Sequence, residues 1–289
     1  MRYEAGYFRS LDKQDMFFRH WHPDGDPLAT LWIVHGIGEH SGRYFPMAEY
    51  LVARDIEVFA MDNRGHGRSG GKRGHVDSFQ QFLDDLHTFW LRFGPERAKP
   101  VALFGQSLGA LIALHYAEQH AEDLDTVIFS AGAFSLPEKL PKLKLILAKW
   151  LLKLKPDTTF NNEIDPQCLS SDPEVVKKYL DDPYVHDRIS VKLFFELVDR
   201  VNAAAGVAAR LQLPALFMHG AQDCLLPVKG TEQIYARWKG EPKELVIWPN
   251  MRHDLPNDTG RDGMFARILD WTAERAKVSL EQKPSEALA

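Results

Sequence analysis

The sequence predicts an α/β fold with a mostly parallel central sheet, helices on both faces and a helical cap insertion. Three observations carry that expectation. Short apolar runs alternate with amphipathic stretches over most of the 289 residues, as expected for parallel strands buried on both faces. One apolar run, Pro100-Val101-Ala102-Leu103-Phe104, leads directly into Gly105-Gln106-Ser107-Leu108-Gly109 and then into a helix-forming stretch. The alternation breaks once, over residues 133–210, where Pro137, Pro141, Pro156, Pro166, Pro173 and Pro183 interrupt several short helical patterns.

The elements follow in order. Residues 3–22 read as a hairpin, two aromatic-rich arms around the polar turn Leu11-Asp12-Lys13-Gln14-Asp15. Leu28 to His35 is a buried strand ending in a glycine-rich loop, and Phe45 to Arg54 a helix. Ile56 to Met61 is the next strand, and a glycine-rich loop follows it. From Phe79 a helix carries Phe79, Phe82, Leu83, Leu86, Phe89, Trp90 and Phe93 on one stripe, with Ser78 or Asp77 as its cap. After the glycine–serine turn and its helix comes the strand Asp125 to Ser130. Beyond residue 210 the alternation resumes. Leu213 to His219 is a strand, Val228 to Trp238 a helix, Glu244 to Trp248 a strand and Met264 to Ala276 a helix. The core is therefore expected over 1–132 and 211–280, the cap over 133–210, and a disordered polar tail over 281–289. A cap inserted there would sit over the C-terminal strand ends, where open α/β sheets bind ligands.

Bulk properties exclude several classes. The net charge is −5, without the basic stripe of a nucleic-acid binder. Cys168 and Cys224 are the only cysteines, so no disulfide framework is expected and a reducing, cytoplasmic setting fits. The N-terminus lacks the apolar core of a signal peptide, and no run of about 18 apolar residues suggests a membrane span.

The chemistry centres on Gly105-x-Ser107-x-Gly109 between strand and helix, the setting of a nucleophile elbow. A serine needs a base, and the base an orienting acid. Five histidines follow Ser107: His115, His120, His186, His219 and His253. His115 and His120 belong to the helix after the elbow, His186 to the cap, and His219 to a strand end where packing is the plain reading. His253 lies in a loop after the last strand, placed to reach the strand tips. Asp223 is the only acid in the turn His219 to Pro227 and is expected to orient His253; Asp254 is too close in sequence to hold that ring. Cys224 is expected only to pack. The N–H groups of Leu108 and of Ile37, in His35-Gly36-Ile37-Gly38-Glu39-His40, are the expected oxyanion donors. Read as phosphate binding, Gly36-x-Gly38 lacks a third glycine and a lysine. No metal or organic cofactor is implied.

With these residues in view, the chain resembles the monoglyceride lipase and lysophospholipase branch of the α/β-hydrolases. The resemblance runs through His35 to Tyr44, Asp62 to Ser69, Gly74-His75-Val76, the elbow, Ser171-Asp172-Pro173, Gly220-x-x-Asp223 and Arg252-His253, nearly the whole chain. It implies an α/β-hydrolase fold and a serine esterase cleaving single-chain acyl esters, monoacylglycerol first, with a mobile cap and an acyl tunnel. Lysophospholipase or broad carboxylesterase activity is the enzymatic alternative, and a ligand-binding protein on a hydrolase fold the non-enzymatic one. Glu39 and Arg43 are expected to frame the glycerol pocket or to form an ion pair holding the oxyanion loop. Gln106 departs from the family's usual histidine, and Leu169 stands where relatives carry a tyrosine in the glycerol site.

The first cap helix, Pro141 to Leu154, mixes an apolar face with Lys142, Lys144, Lys149 and Lys153. Either Leu147 and Trp150 line an acyl tunnel, or this face makes a peripheral contact with an anionic membrane. The partner implied is a small lipid ester; no protein partner is.

Overall fold

The computed structural model describes residues 1–94, 99–135 and 142–282, without the side chains of 142–147 and 278–282. Of the expected tail 281–289, residues 281 and 282 continue the last helix and the rest lie outside the described residues. An eight-stranded sheet is built from β1 (Arg2–Arg9), β2 (Asp15–His22), β3 (Ala29–Val34), β4 (Ile56–Met61), β5 (Val101–Gln106) and β6 (Thr126–Ser130). A separate two-stranded sheet, β7 (Thr159–Asn161) with β8 (Arg188–Ser190), belongs to the insertion, and β9 (Ala215–Gly220) and β10 (Lys243–Trp248) complete the main one. Its order is β1-β2-β4-β3-β5-β6-β9-β10. The β1–β2 hairpin adds antiparallel to β4, and every other pairing is parallel.

The chain order reverses at β3, which has β4 on one side and β5 on the other. Connections leaving β3 and β5 therefore run to opposite sides and open a crevice at their C-terminal ends. The glycine loop after β3 and the serine turn after β5 meet there.

Strand side chains alternate between two cores, as a period of two requires. Trp32 and Val34 of β3 join one core, Leu31 and Ile33 the other; Leu103 and Phe104 of β5 divide likewise. The first core is covered by α2 (Gln80–Phe93), α3 (Leu108–Gln119), α6 (Val191–Ala208) and α7 (Val228–Arg237), the second by α1 (Phe45–Val52) and α8 (Arg261–Gln282). The aromatic stripe of α2 is this inner face: Phe79, Phe82, Leu83, Leu86 and Phe89 are fully buried, with Trp90 and Phe93 partly so. Ser78 accepts a hydrogen bond from Gln80 N–H at the start of α2.

The insertion holds α4 (Lys142–Leu154), the β7–β8 pair, α5 (Pro173–Asp181) and α6. It departs from a set of short helices in two ways. Residues too few for a sequence signal form the β7–β8 pair, and α6 is a single 18-residue helix. Leu193, Ala204, Val207 and Ala208 of α6 lie in the same core as α3, so the cap is continuous with the body there. Elsewhere it is tied to core loops. His186 N–H donates to Gly38 O at 2.9 Å, Ser190 N–H to Gly74 O at 2.8 Å, and His40 Nε2 lies 2.9 Å from Asp182.

The expectation for the cysteines is corrected. Cys168, in the cap, and Cys224, in the turn after β9, form a disulfide. Their separation of 56 residues hides a contact that only the fold creates. The segment Cys168-Leu169 accepts hydrogen bonds from His253 N–H (3.2 Å) and Asp254 N–H (2.8 Å), which brings the cap against the loops after β9 and β10. Closing a loop of this length removes roughly 4 kcal/mol of unfolded-chain entropy. Reductant, or Cys168→Ser with Cys224→Ser, is accordingly expected to lower the melting temperature by several degrees. Two titratable thiols in unreduced, denatured protein would show that Cys168 and Cys224 are not bridged.

Candidate active site

The turn after β5 holds Ser107 at φ 54°, ψ −115°, a conformation a non-glycine residue adopts only when its surroundings impose it. They do so by close approach. A Cβ on Gly109 would lie 1.9 Å from Val34 O, and one on Gly105 2.3 Å from Gly109 O. Ser107 N–H donates to Ser130 O at 2.9 Å, tying the turn to β6. Leu108 opens α3, so its N–H has no partner within the helix and sits at the positive end of the dipole.

Ile37 is held from behind. Glu39 Oε1 accepts from Gly36 N–H at 2.6 Å and from the Tyr44 hydroxyl at 2.8 Å, while Oε2 accepts from Arg43 Nε at 3.0 Å. Another Arg43 nitrogen binds Asp254. Arg43, Glu39 and Asp254 have side chains only 8, 8 and 4% exposed. This buried network braces the loop after β3 against the loop that carries His253. Burial alone would depress the Arg43 pKa, but Asp254 and Glu39 hold it well above its ordinary value. Burial also pushes Asp254 up despite Arg43. Removing one partner of such a network costs about 3–5 kcal/mol, because the others stay buried and unpaired.

His253 Nδ1 lies 2.7 Å from Asp223 Oδ2. Gln106 Nε2 donates to His253 O at 2.8 Å, so the elbow's glutamine steadies the histidine backbone. Asp223 Oδ1 accepts from the N–H groups of Leu225 (2.8 Å) and Leu226 (2.9 Å). Burial would raise the Asp223 carboxyl, but His253, His219 and these donors hold it well below the usual carboxylate range. For His253, burial disfavours the charged ring and Asp223 favours it; the carboxylate prevails, and the pKa rises above 6.5.

If His253 acts as a base, only its neutral ring can accept a proton. kcat/KM is then expected to climb with pH through one group titrating higher than an ordinary imidazole and to fall away on the acid side. A profile flat from about pH 5 to 8 would contradict that role.

Ser107, His253, Ile37, Glu39, Leu169 and Asp254 all line one cavity, together with Gly36, Gln106, Ile164 and Tyr179. Ser107 and His253 share this lining without a hydrogen bond between them, and such bonds commonly form only with substrate bound. Ile164 and Tyr179 come from the cap and carry no local sequence signal. The buried Tyr179 ring lies under the Arg43 guanidinium, 4.9 Å from its centroid, and burial pushes its hydroxyl up to about 12. It brings a phenol to the pocket in which Leu169 lacks one. Among the described residues, Arg43 and Trp150 are not part of this lining, Arg43 being paired with Glu39 and Asp254 instead. The Leu147 side chain lies outside the described residues. Trp150 is 65% exposed, on a helix that packs against α6.

Among the described residues, one group could offer three metal ligands, His87, His120 and Asp123. The two rings stack 3.9 Å apart at 15°, so an ion in the plane of one would sit out of the plane of the other. It lies at the far end of α3 from Ser107.

A sheet of this order, with a strained serine after β5 and an acid–histidine pair after β9 and β10, is an α/β-hydrolase. The family described as serine aminopeptidase, S33 (Hydrolase_4) matches residues 25–260, and the chain belongs to it, on its monoglyceride lipase branch. Human monoglyceride lipase is 32% identical over 95% of this chain and 92% of its own. The crystal structure of Paleococcus ferrophilus monoacylglycerol lipase superposes with a TM-score of 0.80 at 31% identity, over 95% of this chain and all of that one. An uncharacterized abhydrolase domain-containing protein of Dictyostelium discoideum is 32% identical over 95% of this chain, which spans only 29% of that relative's length.

Proposed function

We propose that this protein hydrolyses carboxylic esters of single acyl chains, monoacylglycerol first. The observation that carries this is the buried Asp223–His253 pair, 2.7 Å apart, opening onto the same cavity as the strained Ser107. Ser107 Oγ attacks the ester carbonyl as His253 Nε2 takes its proton. Asp223 holds the Nδ1–H tautomer and stabilises the imidazolium. The N–H groups of Ile37 and Leu108 receive the oxyanion, each lowering the barrier by on the order of 3 kcal/mol. His253 then protonates the leaving alcohol and activates the water that releases the fatty acid. Glu39 and Tyr179 give the pocket a polar end suited to glycerol hydroxyls; Ile164 and Leu169 supply apolar surface for the acyl chain.

The substrate reaches the enzyme from a lipid surface. The cap exposes Trp150, Leu154, Phe160 and Leu180, with Lys149 and Lys153 exposed beside the first two, the make-up of an interfacial helix. No helix among the described residues is long and apolar enough to cross a membrane, so this contact is peripheral. The Cys168–Cys224 bridge removes the cysteine argument for a reducing cytoplasm.

Hydrolysis of a panel of monoacylglycerols, diacylglycerol, triacylglycerol, lysophospholipid and p-nitrophenyl esters tests the substrate reading. Monoacylglycerol is expected to lead, and a lysophospholipid that outruns it would replace that assignment. Trp150→Asp is expected to weaken binding to anionic vesicles and to leave hydrolysis of detergent-dispersed substrate unchanged. The reverse pattern would restore Trp150 to the acyl site.

A further inference from the structure

Asp223 is shared by two histidines. His253 Nδ1 lies 2.7 Å and His219 Nε2 2.9 Å from the same oxygen, Oδ2. His219 is the last residue but one of β9, and its side chain, like that of Asp223, is wholly buried. Its other contacts fix how it is held. Nε2 also lies 3.1 Å from Leu226 O. Both groups facing Nε2 are acceptors, so Nε2 carries the hydrogen and donates. Nδ1 lies 2.8 Å from the hydroxyl of Thr231, itself buried in α7. A plain packing role for a strand-end histidine does not require any of this. It leaves no ring nitrogen of His219 without a partner, and it directs one hydrogen at the oxygen that orients His253.

We infer that His219 is a positioning residue that sets the basicity of His253 by sharing Asp223 Oδ2 with it, and that Thr231 holds His219 in place. The inference rests on the serine-hydrolase reading of the site. A carboxylate oxygen that accepts two N–H donors has less negative charge to offer each of them. Taking away the His219 donor leaves Oδ2 to His253 alone and strengthens its hold on the imidazolium. The remaining groups that face His253 are unchanged by this. Glu39 and Asp254 also favour its charged form, Arg43 is paired to both of them, and Tyr179 lines the same cavity. The effect of His219 is therefore separable.

The test is the pH profile of kcat/KM on a short p-nitrophenyl ester. His219→Leu is expected to move the acid-side inflection upward by about half a unit or more, with kcat falling at pH 7 and KM little changed. His219→Gln, whose amide can still donate to Oδ2, is expected to bring the inflection back to that of the wild type. Thr231→Val is expected to shift it in the same direction as His219→Leu, by less. A wild-type inflection in both His219→Leu and Thr231→Val, or one shifted equally by Leu and Gln, would overturn the proposal. If His219→Leu does not fold, Thr231→Val decides by the same criterion. Fluorophosphonate labelling of the wild type keeps the two readings apart. An unlabelled Ser107 overturns the serine-hydrolase reading, whereas a labelled enzyme with an unmoved inflection overturns only the role of His219.

Discussion

Ser107→Ala is expected to fold as the wild type does and to lose kcat by on the order of 10⁶, because no acyl-enzyme can form. The turn is held by backbone contacts, Ser107 N–H to Ser130 O and the close approach of Gly109 to Val34 O. None of these uses the hydroxyl. Thermal melting should therefore move little while ester hydrolysis and fluorophosphonate labelling both disappear. The residual rate should still exceed that of water, since the Ile37 and Leu108 N–H groups and the pocket remain. A variant keeping a tenth of the wild-type rate would place the nucleophile elsewhere.

Asp223→Asn is expected to cost on the order of 10⁴ in kcat, and the geometry says why the isosteric change is so damaging. The Asp223 oxygens face donors only: Leu225 and Leu226 N–H at Oδ1, His253 and His219 at Oδ2. An asparagine has one acceptor oxygen. Turned toward the two backbone N–H groups, it points its NH₂ at His253 and forces the ring hydrogen onto Nε2, the atom that must take the serine proton. It also sets that NH₂ against the His219 donor. Turned the other way, it abandons the two backbone groups and loosens the turn. A rate within tenfold of the wild type would show that another acid orients His253.

Much of this could be read from the chain as text. Most expected strands and helices of the body are found to within a few residues, because strands buried on both faces must be apolar throughout; the last helix runs on from Ala276 to Gln282. The serine turn was legible for the same reason: Gly105 and Gly109 stand where a Cβ would strike neighbouring backbone. Asp223 and His253 were picked out by their places in loops after successive strands, and the structure brings them 2.7 Å apart. Within the insertion the pattern was less informative. Three-residue strands carry no periodicity, and α6 mixes a face toward the core with a face toward the cap.

The local features, then, belong to the sequence: which segments are strand or helix, where the backbone must turn sharply, and which residues are the candidates for nucleophile, base and acid. What only the three-dimensional arrangement decides is the set of contacts between segments far apart in the chain. The pairing of Cys168 with Cys224, the Glu39–Arg43–Asp254 brace, the Tyr179 phenol in the pocket, the outward turn of Trp150 and the second histidine on Asp223 are all of this kind. The physical reason is range. Backbone sterics and hydrophobic periodicity act over a few residues and leave their mark in local composition. A hydrogen bond or disulfide between distant residues depends on packing that the whole chain settles together, and neither residue's neighbours in sequence record it.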